Sequence, residues 1–269
     1  MLDQWKRGAM VLEKRLVDRP RGVVVLVHGS GEHYRRYEWL IHVLKRQHLH
    51  VITGDLPGHG ESDGRRGHID SFREYTDTVY EWYREAASFK LPIFMLGHSM
   101  GGLIVIRAVS ERYMPVKGII LSSPALGLYE YPNRIRELSG RLAHRLMPGK
   151  ALRTGIQAQY LTRNPETRAE YQKDELVNDT VTVRWYQEMI RAMRISLAQP
   201  ESFPDTPLLV MQAGEDYIVD KETTVRWFNR LHTSERTIKI WNNLYHEILN
   251  EPEQERVVRY IIHFMNQHS

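Results

Sequence analysis

Short apolar runs and longer amphipathic stretches take turns along the chain. VVVLV (23–27), HVITGD (50–55), PIFML (92–96), VKGIIL (116–121), PLLVMQA (207–213) and RTIKIW (236–241) read as strands, the first a continuous apolar run of the kind that is covered on both faces. Between them, segments 36–47, 71–88, 101–112, 220–231 and 252–267 carry the spacing of helices with one apolar face. Strands alternating with helices predict an α/β fold, a mostly parallel central sheet flanked by helices. One interval breaks the rhythm, because residues 126–203 keep helical rather than strand periodicity. They are expected to form an inserted helical cap on a core domain made of 1–125 and 204–269.

Two stripes stand out in that insertion. Residues 134–147 place Ile135, Leu138, Leu142 and Leu146 on one helical face, and 181–197 place Val181, Trp185, Met189, Met193 and Leu197 on another. Packing of the cap on the core accounts for most of such residues. A Met-rich and aromatic surface also suits an acyl chain, so Trp185, Met189 and Met193 are the candidate substrate contacts.

Composition narrows the class. The apolar runs are too short for a membrane span, and the charged N-terminus MLDQWKRGAMVLEKRLVDRP offers no secretory signal. With no cysteine the chain has no disulfide, thiol nucleophile or thiolate metal site, and a cytoplasmic location is expected. The net charge of +4 comes with no basic run or recognition motif, so a nucleic-acid partner is not expected. Between 126 and 200, however, twelve Lys/Arg face eight Asp/Glu, a difference equal to the whole net charge. Positive potential there would favour phosphate-bearing headgroups or transient contact with an anionic membrane surface, while alternation with carboxylates along helices describes an ordinary solvated face.

The chemistry centres on LGHSMGG (96–102), which lies where the third buried strand ends and a helix begins. A serine at a sharp strand-to-helix turn exposes its hydroxyl above the sheet, and glycines on both sides let the turn close. Ser99 is the candidate nucleophile. A serine hydroxyl needs a base that is itself oriented by a carboxylate, and in this arrangement acid precedes histidine on later strand ends. GEDYIVD, after the fifth strand, offers Asp216, with Glu215 and Asp220 as competitors; Asp220 opens the next helix and resembles its N-cap. His246 is the histidine between the last strand and the last helix. For the oxyanion, the amide of Met100 follows the nucleophile, and the loop HGSGEHYRRY brings up a second amide, taken as Ser30. His28 and Glu32 are expected to brace that loop.

Together HGSGEHYRRYEWL, GDLPGHGESDGRRGHIDSF, LGHSMGG, LSSPALGL, LTRNPE followed by YQKDELV, and LYHEILNEPE resemble the monoacylglycerol lipase and lysophospholipase family of α/β-hydrolases. The likeness is closest to lysophospholipase-like members of Bacillus-type bacteria and extends through the cap. It implies the α/β-hydrolase fold, a triad of Ser99, Asp216 and His246, an oxyanion hole at Ser30 and Met100, and no metal or organic cofactor. It implies hydrolysis of lipid esters with a single acyl chain. The short N-terminus leaves open whether the first strands of the family's eight-stranded sheet are present. Alternatives are a shorter-chain carboxylesterase or thioesterase, and a ligand-binding module without activity.

Overall fold

A computed structural model of the chain describes residues 11–130 and 147–269. The main sheet contains β1 (Val11–Arg15), β2 (Gly22–Val27), β3 (Leu49–Asp55), β4 (Ile93–His98), β5 (Gly118–Ser122), β8 (Leu208–Ala213) and β9 (Arg236–Trp241), in the order β1-β3-β2-β4-β5-β8-β9. All neighbours run parallel except β1, which pairs antiparallel with β3 at the edge. All six expected strands form. The seventh, β1, reads VLEKR and is only partly buried. Its charges suit an edge strand and hide it from a search for apolar runs.

Both faces of the sheet are covered, and β2 shows how. Val23, Val25 and Val27 point into a core shared with α2 (Arg73–Ser88), α3 (Met100–Glu111) and α7 (Lys221–Asn229). Val24 and Leu26 point into a second core beneath α1 (Glu38–Arg46) and α8 (Gln254–Gln267). After β2 the chain pairs β3 on one side, then crosses to place β4 on the other. That reversal opens a crevice at the carboxyl ends of β2 and β4, where open parallel sheets bind ligands.

Between β5 and β8 the described residues form β6 (Ala151–Arg153), α4 (Ala158–Leu161), α5 (Pro165–Lys173), β7 (Thr180–Thr182) and α6 (Val183–Ala198). The segment is thus not all helical, since β6 and β7 pair antiparallel. Three residues per strand are too few for alternation to register, although Thr180, Val181 and Thr182 are β-branched. The stripe of Ile135, Leu138, Leu142 and Leu146 lies outside the described residues. In the second stripe, Val181 belongs to β7, and Trp185, Met189 and Met193 on α6 are buried in the core shared with α2 and α3. The Trp185 indole N–H donates to the Tyr75 hydroxyl at 2.8 Å. No helix among the described residues is long and apolar enough to cross a membrane.

Candidate active site

Ser99 sits between β4 and α3 with φ 53° and ψ −119°, a strained conformation for a residue with a side chain. The turn holds because its neighbours are glycine. A Cβ added to Gly97 would lie 2.5 Å from the Gly101 carbonyl oxygen, and one added to Gly101 would lie 2.2 Å from that of Val27. The Ser99 amide donates to the Ser122 carbonyl at 2.9 Å, and the Ser99 carbonyl accepts from Ala125 at 2.9 Å. The backbone is therefore pinned from β5 while the hydroxyl remains directed at a partner.

That partner is His246, carried by the loop after β9. Its Nε2 lies 2.9 Å from Ser99 Oγ, and its Nδ1 lies 2.9 and 3.1 Å from the two oxygens of Asp216, in the loop after β8. The Asp216 carboxylate also accepts the amides of Ile218 and Val219, both at 2.9 Å, and the Gln212 side chain at 3.1 Å. With Nδ1 donating to the carboxylate, Nε2 is left to accept from Ser99. Asp220 caps α7 by accepting from Glu222. Burial disfavours the His246 imidazolium, but Asp216, then Glu247 and Glu32, outweigh it and raise the pKa above its ordinary value. His98, whose ring stands 4.9 Å from that of His246, is instead pushed down to about 3 by burial and by that neighbour. It stays neutral.

The loop after β2 closes on the serine from the other side. A Cβ on Gly29 would stand 3.2 Å from Ser99 Cβ, and Ser30 lines the space over the hydroxyl. Met100 is fully buried as the first residue of α3. His28 braces the loop: its Nδ1 donates to the Gly29 carbonyl at 2.8 Å, its Nε2 accepts the Leu56 amide at 3.0 Å, and burial lowers its pKa. Glu32 does the same through the Gly29 amide and the Tyr37 hydroxyl.

Sequence reasoning missed the residue that joins these loops. Arg36, almost fully buried, reaches Glu32 at 3.1 Å and Glu247 at 2.6 Å, so one guanidinium ties the Gly29–Ser30 loop to the loop of His246. Its other face stacks on Tyr171 of α5, 4.8 Å from the ring centre. Further ties run from the inserted segment: Glu247 donates its amide to the Leu161 carbonyl at 2.8 Å, Asn178 donates to that of Gly31 at 2.8 Å, and Asp174 pairs with His33 at 2.7 Å. Only the position of Glu247, one residue after the histidine, hinted at this.

The space above Ser99 measures about 20 Å³, room for one water. Ile156, Leu161, Ile218 and Tyr171 line it opposite the loops that carry Ser30 and His246. Trp185, Met189 and Met193 do not line it; their apolar face is spent on the core. Leu161, within LTRNPE, and Ile218, two residues past Asp216, could have been proposed from their closeness to motifs.

A serine elbow over the carboxyl ends of a parallel sheet, with histidine and aspartate arriving from the next loops, makes this a serine hydrolase of the α/β-hydrolase fold. The chain belongs to the Hydrolase_4 family, whose description is "Serine aminopeptidase, S33" and whose model matches residues 18–253. It is 42% identical to "Phospholipase YtpA" of Bacillus subtilis (strain 168), over 93% of this chain and 97% of that protein. It is 31% identical to "Monoacylglycerol lipase" of Mycolicibacterium smegmatis, over 89% of this chain and 86% of that one. The crystal structure of Paleococcus ferrophilus monoacylglycerol lipase superposes with a TM-score of 0.88 at 32% identity, covering 97% of this chain and all of that one. The resemblance read from the sequence holds.

Proposed function

We propose that the protein hydrolyses carboxylic esters of single-acyl-chain glycerolipids, lysophospholipid or monoacylglycerol, through an acyl-Ser99 intermediate. The unbroken hydrogen-bonded line from Ser99 through His246 to Asp216 carries the reading. Ser99 Oγ attacks the ester carbonyl carbon while its proton passes to His246 Nε2, and Asp216 stabilises the resulting imidazolium. The amides of Ser30 and Met100 bind the oxyanion. Collapse returns the proton to the leaving alcohol, glycerol or a glycerophosphate. Water then attacks the acyl carbonyl, giving its proton to the same histidine; collapse breaks the bond to Ser99 Oγ, which takes that proton back from His246 Nε2 as the fatty acid is released.

The wall of Ile156, Leu161 and Ile218 supports an acyl substrate, and the names of the relatives support a lipid ester. An aminopeptidase needs a carboxylate free to receive the substrate ammonium. The two glutamates beside this site, Glu32 and Glu247, are both bound to Arg36, which favours the ester. Tyr129, Tyr160 and Tyr217 are exposed close to Asp216 and Leu161, with rings 5.6 to 5.9 Å apart. Such an aromatic rim suits transient contact of the insertion, acting as a cap, with a lipid surface.

Hydrolysis of lysophosphatidylcholine, lysophosphatidylglycerol and a monoacylglycerol of one chain length, with Ser99→Ala as control, tests the reading. Fatty acid release lost in Ser99→Ala is expected, and faster release from short-chain esters than from all three lipids would turn the reading to a short-chain esterase. A fluorophosphonate that fails to label Ser99 would remove catalysis altogether.

A further inference from the structure

Several described arginines of the insertion stand beside carboxylates. Arg153 lies 3.7 Å from Asp179, Arg163 lies 3.3 Å from Glu251, and Arg184 lies 3.6 Å from Asp70. Arg191 instead borders a cavity of 370 Å³ where α6 packs against the start of α2 and the end of α3. The cavity shares no lining residue with the space over Ser99. It lies toward the opposite end of the 12-residue helix α3, where Arg107 and Glu111 stand about 12 to 18 Å along the axis from Ser99 at 1.5 Å per residue.

Four guanidinium groups line this cavity: Arg73 from α2, Arg107 from α3, Arg112 just beyond it, and Arg191 from α6. Their carboxylate partners among the described residues are fewer. Arg107 is paired with Glu111, and Arg112 and Arg73 share Asp77. Glu188 lies 3.9 Å from Arg191 but accepts the Phe72 amide at 3.0 Å. Four cations thus meet three carboxylates, and Asp77 is not part of the cavity wall. Burial, and then the charge of Arg73, lower the pKa of Arg112. The amides at the start of α2 are already satisfied, Ser71 by Glu74 and Arg73 by the Ser71 hydroxyl, so the attraction for an anion belongs to the arginines.

We propose that this cavity is a second binding site, for a phosphate ester with a small polar substituent such as glycerol phosphate. Guanidinium forks match phosphate oxygens in pairs, and the volume falls in the range of small-ligand pockets, roughly 300 to 1,000 Å³. A phosphate here joins Arg191 of the insertion to Arg73, Arg107 and Arg112 of the core, fastening α6 down from behind. The site stands apart from the ester chemistry proposed for Ser99. Its phosphate comes either from a soluble ester or from the headgroup of an anionic phospholipid.

The test uses sn-glycerol 3-phosphate in calorimetric titration and thermal denaturation against sodium chloride of equal ionic strength. In parallel, the protein is sedimented with phosphatidylcholine vesicles with and without phosphatidylglycerol. Arg73→Ala and Arg191→Ala remove exposed guanidinium groups far from Ser99, and hydrolysis of a soluble short-chain ester reports that each variant is folded. Arg191→Gln repeats the measurement should an alanine variant unfold. Each loss is expected to weaken binding about tenfold, the size of one charged hydrogen-bonded contact. A glycerol 3-phosphate response that depends on Arg73 and Arg191 assigns a soluble ligand. Sedimentation that depends on phosphatidylglycerol and on both arginines, without such a response, assigns the headgroup. Binding absent in both arms, or unchanged in the variants, overturns the site.

Discussion

Arg36 and Glu247 meet at 2.6 Å although 211 residues separate them. The contact fixes the residue that follows His246, and the second arm of Arg36 reaches the glutamate that holds the Gly29 amide. Arg36→Ala leaves two buried carboxylates without their cation, a loss that costs about 3–5 kcal/mol and is read from urea unfolding. With both loops loosened, kcat is expected to fall on the order of 100-fold while KM changes little. Arg36→Lys keeps the charge without the fork and recovers part of the stability and less of the rate.

Asp216→Asn keeps the size of the side chain and removes the charge that orients the His246 tautomer. Ester hydrolysis is expected to fall by about 10⁴, with the unfolding midpoint close to that of the parent. A variant with near-normal rates would place the orienting carboxylate elsewhere.

The pH profile follows from the raised pKa of His246. The imidazole must be neutral to take the Ser99 proton, so activity is lost as pH falls through its pKa and gained as pH rises. Since Asp216, Glu247 and Glu32 hold that pKa above 6.5, the acid limb of kcat/KM is expected above 6.5. Glu247→Gln removes one of the supporting charges and should move the limb to lower pH.

Two truncations separate packing from substrate contact. Met189→Ala opens a hole in the core beneath α6, and a loss of about 2–5 kcal/mol is expected with KM for a monoacylglycerol unchanged. Leu161→Ala removes part of the wall over Ser99, and KM for the same substrate should rise. The reverse pattern would return the α6 stripe to the acyl path.

The strands, their alternation with helices and the Ser99 elbow were legible because each is written locally. A continuous run such as VVVLV or a serine between glycines carries its meaning within a few residues. Asp216 and His246 could be read from the same rule once the strands before them were placed. What escaped depends on long-range placement. Arg36 looks like any arginine in HGSGEHYRRY until Glu247 comes beside it, and the stripe of Trp185, Met189 and Met193 has one periodicity whether it faces a core or a ligand. The β6–β7 pair was too short to show alternation, and β1 too charged to show an apolar run.

The glycines around Ser99 also decide where this protein is open to change. At Gly101 a single methyl group would enter the space of two backbone carbonyl oxygens, those of Val27 and His28, at 2.2 and 2.5 Å. No neighbouring side chain can be trimmed to make room, so a directed-evolution library at positions 97 and 101 should return its starting residue or nothing that folds. New substrate preferences would have to be written on the opposite wall, at Ile156, Leu161 and Ile218, where a change of shape leaves the reacting groups where they are.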